Sequence, residues 1–181
     1  MQEGFVKSMN KQCAMYCIDL IRAVMQERDI PEIPEGVTLE ELYAYAKLHG
    51  VEAMVFHGLE QLNVDETAPV WQDWRNRADM ILTQSIVQLA ERDNLFAALH
   101  AAGISILPVK GCWLKEQYPD IDYRQMSDLD ILFHPEDAAN AAEIMAKLGY
   151  VPEDAAADYH YGYQKPPFMG VELHTSLLPR A

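Results

Sequence analysis

The chain has 181 residues, half of them hydrophobic, with 28 acidic against 14 basic side chains and a formal net charge of −14. That length is enough to bury a core in one domain or two small ones, and the charge repels phosphate backbones, which argues against general nucleic-acid binding, or else serves solubility alone. Cys13, Cys17 and Cys112 give neither a disulfide framework nor paired zinc motifs, and no stretch reads as a signal peptide or a membrane span, so a cytoplasmic setting is expected.

Apolar spacings of three and four predict a first helix from Met9 to about Asp29, stopped by Pro31 and Pro34. Thr38, followed by Glu40 and Glu41, reads as the N-cap of a second helix that ends at Gly50, and Val51 to Leu62 reads as a third. Pro69 to His100 is a long helical stretch whose inner face is expected to carry Trp71, Trp74, Ala78, Ile81, Leu82, Ile86, Leu89 and Phe96. Met15, Met25, Met54 and Met80 are expected to fill gaps in that packing, and Cys13 and Cys17 to be core residues. The first region, 1–103, is thus helical.

At Gly103 the pattern changes. Ile104 to Val109 is a short β-branched run that predicts a buried strand, and Cys112 to Gln117 predicts a short helix. A turn-rich loop over Tyr118 to Gln125 leads to a second strand at Leu129 to Phe133. A helix then starts at Pro135 and closes at Gly149, and Val171 to His174 gives a third strand. Ala155 to Ala157 reads as loop, and Tyr159, His160, Tyr161 and Tyr163 as a loop or strand whose rings could otherwise stack on a base. The second region, 104–181, is therefore expected to be α+β.

Chemistry concentrates in Met126-Ser127-Asp128-Leu129-Asp130-Ile131-Leu132. The period of two sends Leu129 and Ile131 to one face and projects Asp128 and Asp130 together from the other, roughly 7 Å apart along the strand. Such a pair can bracket a hard divalent cation, with magnesium expected, or can be a solvated strand end. Glu172 and His174 share a face in the same way, so three carboxylates converge if the two strands are neighbours, which is the set that two-metal phosphoryl transfer needs. Lys110-Gly111 opens the short helix, where a positive charge and close backbone approach favour phosphate, and Arg124 is a forked donor within reach of the same region or a partner for Asp120 or Asp122.

Val109-Lys110-Gly111, the Arg124 to Asp130 segment, Leu148-Gly149-Tyr150 and Val171-Glu172-Leu173-His174 occur in an order that resembles the uncharacterised bacterial nucleotidyltransferases of the polymerase-beta-like superfamily; Ala46, His49, Gly50 and Val51 extend the likeness over most of the chain. The resemblance implies a helical N-terminal region followed by a mixed β-sheet packed on helices. It implies a cytoplasmic, magnesium-dependent enzyme that moves a nucleoside monophosphate from a nucleoside triphosphate to a hydroxyl of a small molecule or protein. Asp128, Asp130 and Glu172 match the metal-binding, catalytic carboxylates, and Lys110, Gly111, Arg124, Ser127 and His174 line the nucleotide site. Cys112 stands where the superfamily places serine or glycine, and the chain stops seven residues after His174, so C-terminal truncation is one expectation. The competing expectation is a catalytically degenerate nucleotide-binding or protein-interaction module.

Overall fold

The computed structural model describes residues 11–153 and 160–176, which leaves Ala155 to Ala157 and Tyr159 outside the described residues. The chain divides into two compact units, Met1–Leu82 and Thr83–Ala181.

The first unit contains α1 (Lys11–Met25), α2 (Leu39–His49), α3 (Glu52–Leu59) and the start of α4 (Pro69–Ala101). α1 ends four residues before the expected Asp29, because the chain turns left-handed at Glu27 (φ 51°) and the Arg28 amide closes back on the Ala23 carbonyl at 2.9 Å. Thr38 caps α2 as expected, its hydroxyl accepting the Glu41 amide at 3.2 Å, and Gly50 ends that helix at φ 66°, where a side chain would strain the backbone. Leu20, Leu42, Leu59, Trp71 and Trp74 are fully buried, and the Phe56 and Trp71 rings lie 4.6 Å apart. Cys13 and Cys17 are core residues and Met54 fills the packing, but Met15, Leu48 and Met80 face outward.

The second unit takes the rest of α4, then β1 (Ile106–Val109), α5 (Gly111–Leu114) with a 3-10 turn over Lys115–Gln117, and β2 (Asp128–Phe133). Next come α6 (Ala138–Lys147), β3 (Val151–Pro152), β4 (His160–Lys165) and β5 (Met169–His174). Among the described residues the five strands form one mixed sheet in the order β1-β2-β5-β4-β3; β2 and β5 run parallel, and the other pairs there are antiparallel. The fold is α+β, as expected. Leu129, Ile131, Val171 and Leu173 turn to one face of the sheet and join Leu95, Leu99, Ala141 and Met145 of the helices in a single apolar core.

Two expectations about burial fail for identifiable reasons. β1 is an edge strand with Leu107 more than half exposed, since an apolar run alone does not tell an edge from a centre. On α4, Leu82 and Ile86 are exposed and the buried line after Ile81 runs through Ser85, Gln88, Arg92, Leu95 and Leu99. That line keeps the three-and-four spacing but carries polar groups, because this side of the helix holds loop carbonyls and charges as well as apolar surface. Among the described residues no helix is long and apolar enough to cross a membrane.

Candidate active site

The parallel pairing of β2 and β5 sets Asp130 opposite Glu172, Leu132 opposite His174 and Asp128 opposite Gly170. All of these lie on the sheet face away from the apolar core, where β4 adds His160 opposite His174 and Gly162 opposite Glu172. His174 Nε2 sits 3.0 Å from Asp130 Oδ1 and 3.1 Å from Glu172 Oε2, and the His160 ring packs 5.5 Å from the His174 ring. Tyr161 and Tyr163 alternate onto the opposite face, opposite Leu173 and Val171, and so do not reach the carboxylates.

Val109 pairs with Asp130 at the end of β1, so the next residue, Lys110, leaves the sheet beside the carboxylates. Its backbone takes a positive φ of 51°, uncommon for a residue with a side chain, and its Nζ donates to Asp130 Oδ1 at 2.6 Å. That hydrogen bond, opposed by desolvation and helped by the charges of Asp130, Glu172 and Asp128, raises the lysine pKa. Asp130 is almost completely buried while most of the Lys110 side chain is in solvent, so the buried charge is met by a cation free to move away.

A Cβ added at Gly111 would lie 3.3 Å from Met126 Cγ and 3.8 Å from Arg124 Nη2, which places the turn tightly beneath the loop that enters β2. Arg124 Nε is buried with no hydrogen-bond partner among the described residues. Ser127 donates its hydroxyl to Asp128 Oδ1 at 2.5 Å. The structure thus gathers Lys110, Asp130, Glu172 and His174 by direct contact, sets Asp128 with Ser127 one register step away on the same face, and holds Arg124 beside Gly111. Cys112 is buried and its thiol is pushed up to about 12, chiefly by burial, so it is no nucleophile at neutral pH.

Sequence reasoning missed the groups that hold this site in place. Gln88 Nε2, buried on α4, donates to the carbonyls of Met126 (2.9 Å) and Phe168 (3.2 Å), the residues that lead into β2 and β5. Arg92 donates to the Cys112 carbonyl at 3.4 Å and pairs with Glu116 at 2.7 Å, tying down α5 and its 3-10 turn. Lys115 is 1% exposed; its Nζ donates to Ser85 Oγ at 2.9 Å and to the Arg124 carbonyl at 2.7 Å, and burial lowers its pKa to about 8 although the Asp122 charge pulls the other way. The signal was the continuation of the Trp74, Ala78, Ile81 spacing through Ser85, Gln88 and Arg92, which marks polar residues on an inner helix face.

Asp130, Glu172 and His174 each offer one ligand atom, and all three atoms lie within 4.8 Å of one another. Bonds of about 2.1 Å to one ion set neighbouring ligand atoms about 3 Å apart. The separations of 3.0 and 3.1 Å at His174 Nε2 are hydrogen-bond contacts of that same size, so the three donors are close enough to close on a divalent cation when Lys110 leaves Asp130.

No curated protein and no solved structure matches the chain. The family described as "Uncharacterised nucleotidyltransferase" matches residues 35–181, which include every residue of this site, and the chain belongs to that family.

Proposed function

We propose that the chain transfers a nucleoside monophosphate from a nucleoside triphosphate to an acceptor hydroxyl of a small molecule or protein, in a magnesium-dependent reaction. The observation that carries this reading is the meeting of Asp130 and Glu172 from two neighbouring parallel strands on the sheet face away from the apolar core, with Lys110 in contact with Asp130. Asp128, Asp130 and Glu172 are the carboxylates that would hold divalent ions there. Bound ions supply charge neutralisation of the triphosphate and lower the cost of deprotonating the acceptor.

The chain's own residues do the rest. Lys110, with its side chain largely in solvent, leaves Asp130 for the triphosphate oxygens, and Arg124 and Ser127 face phosphate from the loop before β2. Gly111 lets the Met126 side chain pack directly on the turn and brings Arg124 close to it. The acceptor oxygen bonds to the α-phosphorus as the bond from that phosphorus to the pyrophosphate oxygen breaks, and Glu172, a third exposed, accepts the hydroxyl proton.

Incubation with each labelled triphosphate and candidate acceptors tests this directly. Pyrophosphate release should require a divalent metal and fall by at least about a hundredfold in Asp130→Asn with an unchanged circular dichroism spectrum. Full activity in that variant refutes the assignment.

A further inference from the structure

We propose that His174 is itself a metal ligand, and that Asp130, Glu172 and His174 form a mixed nitrogen and oxygen seat for a first-row transition-metal dication, with Mn2+ as its probe, filled before nucleotide arrives. This deepens the nucleotidyl-transfer reading of the same site and rests on it for the ion's use. In that reading the three carboxylates hold the ions; here the imidazole joins them, and it does so by geometry.

Nε2 points between the two carboxylates at 3.0 and 3.1 Å, nearly equidistant from both, the spacing that adjacent positions around one ion require. His174 and Asp130 are both buried, and the His160 ring packs against the His174 ring and restricts its rotation, so the nitrogen is held in place rather than recruited from a flexible surface side chain. Asp128 stands apart from this set. Its carboxylate accepts from Ser127, and the register sets it opposite Gly170, which has no side chain to offer.

Donor type then decides which ion is preferred. Mg2+ favours all-oxygen octahedra and is usually held by one or two carboxylates together with substrate phosphates and waters. Imidazole nitrogen is a poor ligand for it and a good one for first-row transition ions. With three protein ligands from two adjacent strands, the seat is complete enough to hold an ion without a triphosphate. Asp128, at the neighbouring step, is left for an ion that enters with the nucleotide.

The test is Mn2+ titration of the metal-free full chain without nucleotide, followed by the loss of the free-ion electron paramagnetic resonance signal. About one Mn2+ should bind and should stay bound in a hundredfold excess of Mg2+. His174→Ala should weaken Mn2+ binding by about tenfold or more and abolish its preference over Mg2+. His174→Gln, which keeps a polar side chain of similar length but removes the imidazole, should weaken it comparably, which keeps the test decisive if the alanine variant does not fold. Asp128→Asn should weaken Mn2+ binding far less than either histidine variant does. Unchanged Mn2+ affinity in a folded His174→Ala, or displacement of Mn2+ by an equal concentration of Mg2+, overturns the proposal. Because the readout contains no nucleotide, Mn2+ binding without any transfer activity counts against the transfer reading alone, and magnesium-dependent transfer without a Mn2+ site counts against this inference alone.

Discussion

Replacing Lys115 by Met isolates the energetic cost of the buried cation beneath the Arg124 loop. The ordinary lysine pKa of 10.5 falls to about 8 in the fold, mainly through burial. Between those two values the unfolded chain holds the proton and the folded chain releases it. The unfolded state therefore binds more protons, and the contribution of this residue to stability rises with pH. The penalty is complete below about pH 8 and gone above about pH 10.5; at 1.36 kcal/mol per pKa unit it amounts to about 3 kcal/mol. Tyr16, Cys17 and Cys112, all pushed up to about 12, act oppositely, since they lose protons earlier in the unfolded chain, so the wild-type curve alone is ambiguous. Those groups are common to both proteins, and the difference between wild type and Lys115→Met removes them. In urea unfolding followed by circular dichroism from pH 7 to 10.5, an m-value of about 2 kcal/mol/M turns this difference into a relative midpoint shift of about 1.5 M in favour of the wild type as pH rises. A midpoint difference that stays flat across the window refutes the reasoning about Lys115.

Three further outcomes are expected. Gly58→Ala puts a Cβ 2.5 Å from Leu20 Cδ2 and 2.9 Å from Val24 Cγ2, and so should cost about 1–3 kcal/mol by overpacking, measurable as a lower denaturant midpoint. Gln88→Leu deprives the Met126 and Phe168 carbonyls of their buried donor; it should destabilise by about 1–3 kcal/mol per orphaned group and also weaken divalent-ion binding, read by titration calorimetry, because both carbonyls anchor the strands that carry the carboxylates. Lys110→Met should raise the metal affinity of the nucleotide-free chain several-fold, since the ammonium on Asp130 competes with an incoming ion, and should lower nucleotide affinity; the same calorimetry with metal alone and with nucleotide separates the two effects.

The alternation of Asp128, Asp130, Glu172 and His174 with buried aliphatic residues was enough to read two strands and the face that each side chain takes, because period two leaves little freedom when one face is a core. That the two strands are parallel neighbours is a non-local fact, which no spacing within either segment encodes. β3 has only two residues, and β4 carries Gly162 between Tyr161 and Tyr163, so neither gives a strong strand signal. The helices were legible from caps such as Thr38 and Gly50. The inner face of α4 was not, because Ser85, Gln88 and Arg92 are buried by polar contacts with the 3-10 turn, the residues leading into β2 and β5, and α5 rather than by hydrophobicity. Lys115 illustrates the same limit: an isolated lysine in a helical stretch reads as solvent-facing, and only the fold brings it the Ser85 hydroxyl of α4 and the Arg124 carbonyl of the loop that accept its hydrogen bonds.

Melting temperatures of wild type and Asp128→Asn with each of the four nucleoside triphosphates, with and without magnesium, decide whether this face of the sheet binds nucleotide through metal. A triphosphate at about a hundred times its dissociation constant should stabilise the wild type by roughly 2.7 kcal/mol, only with metal present and not in the variant. No shift with any triphosphate, or an equal shift in Asp128→Asn, contradicts a metal-dependent nucleotide site on this face of the sheet.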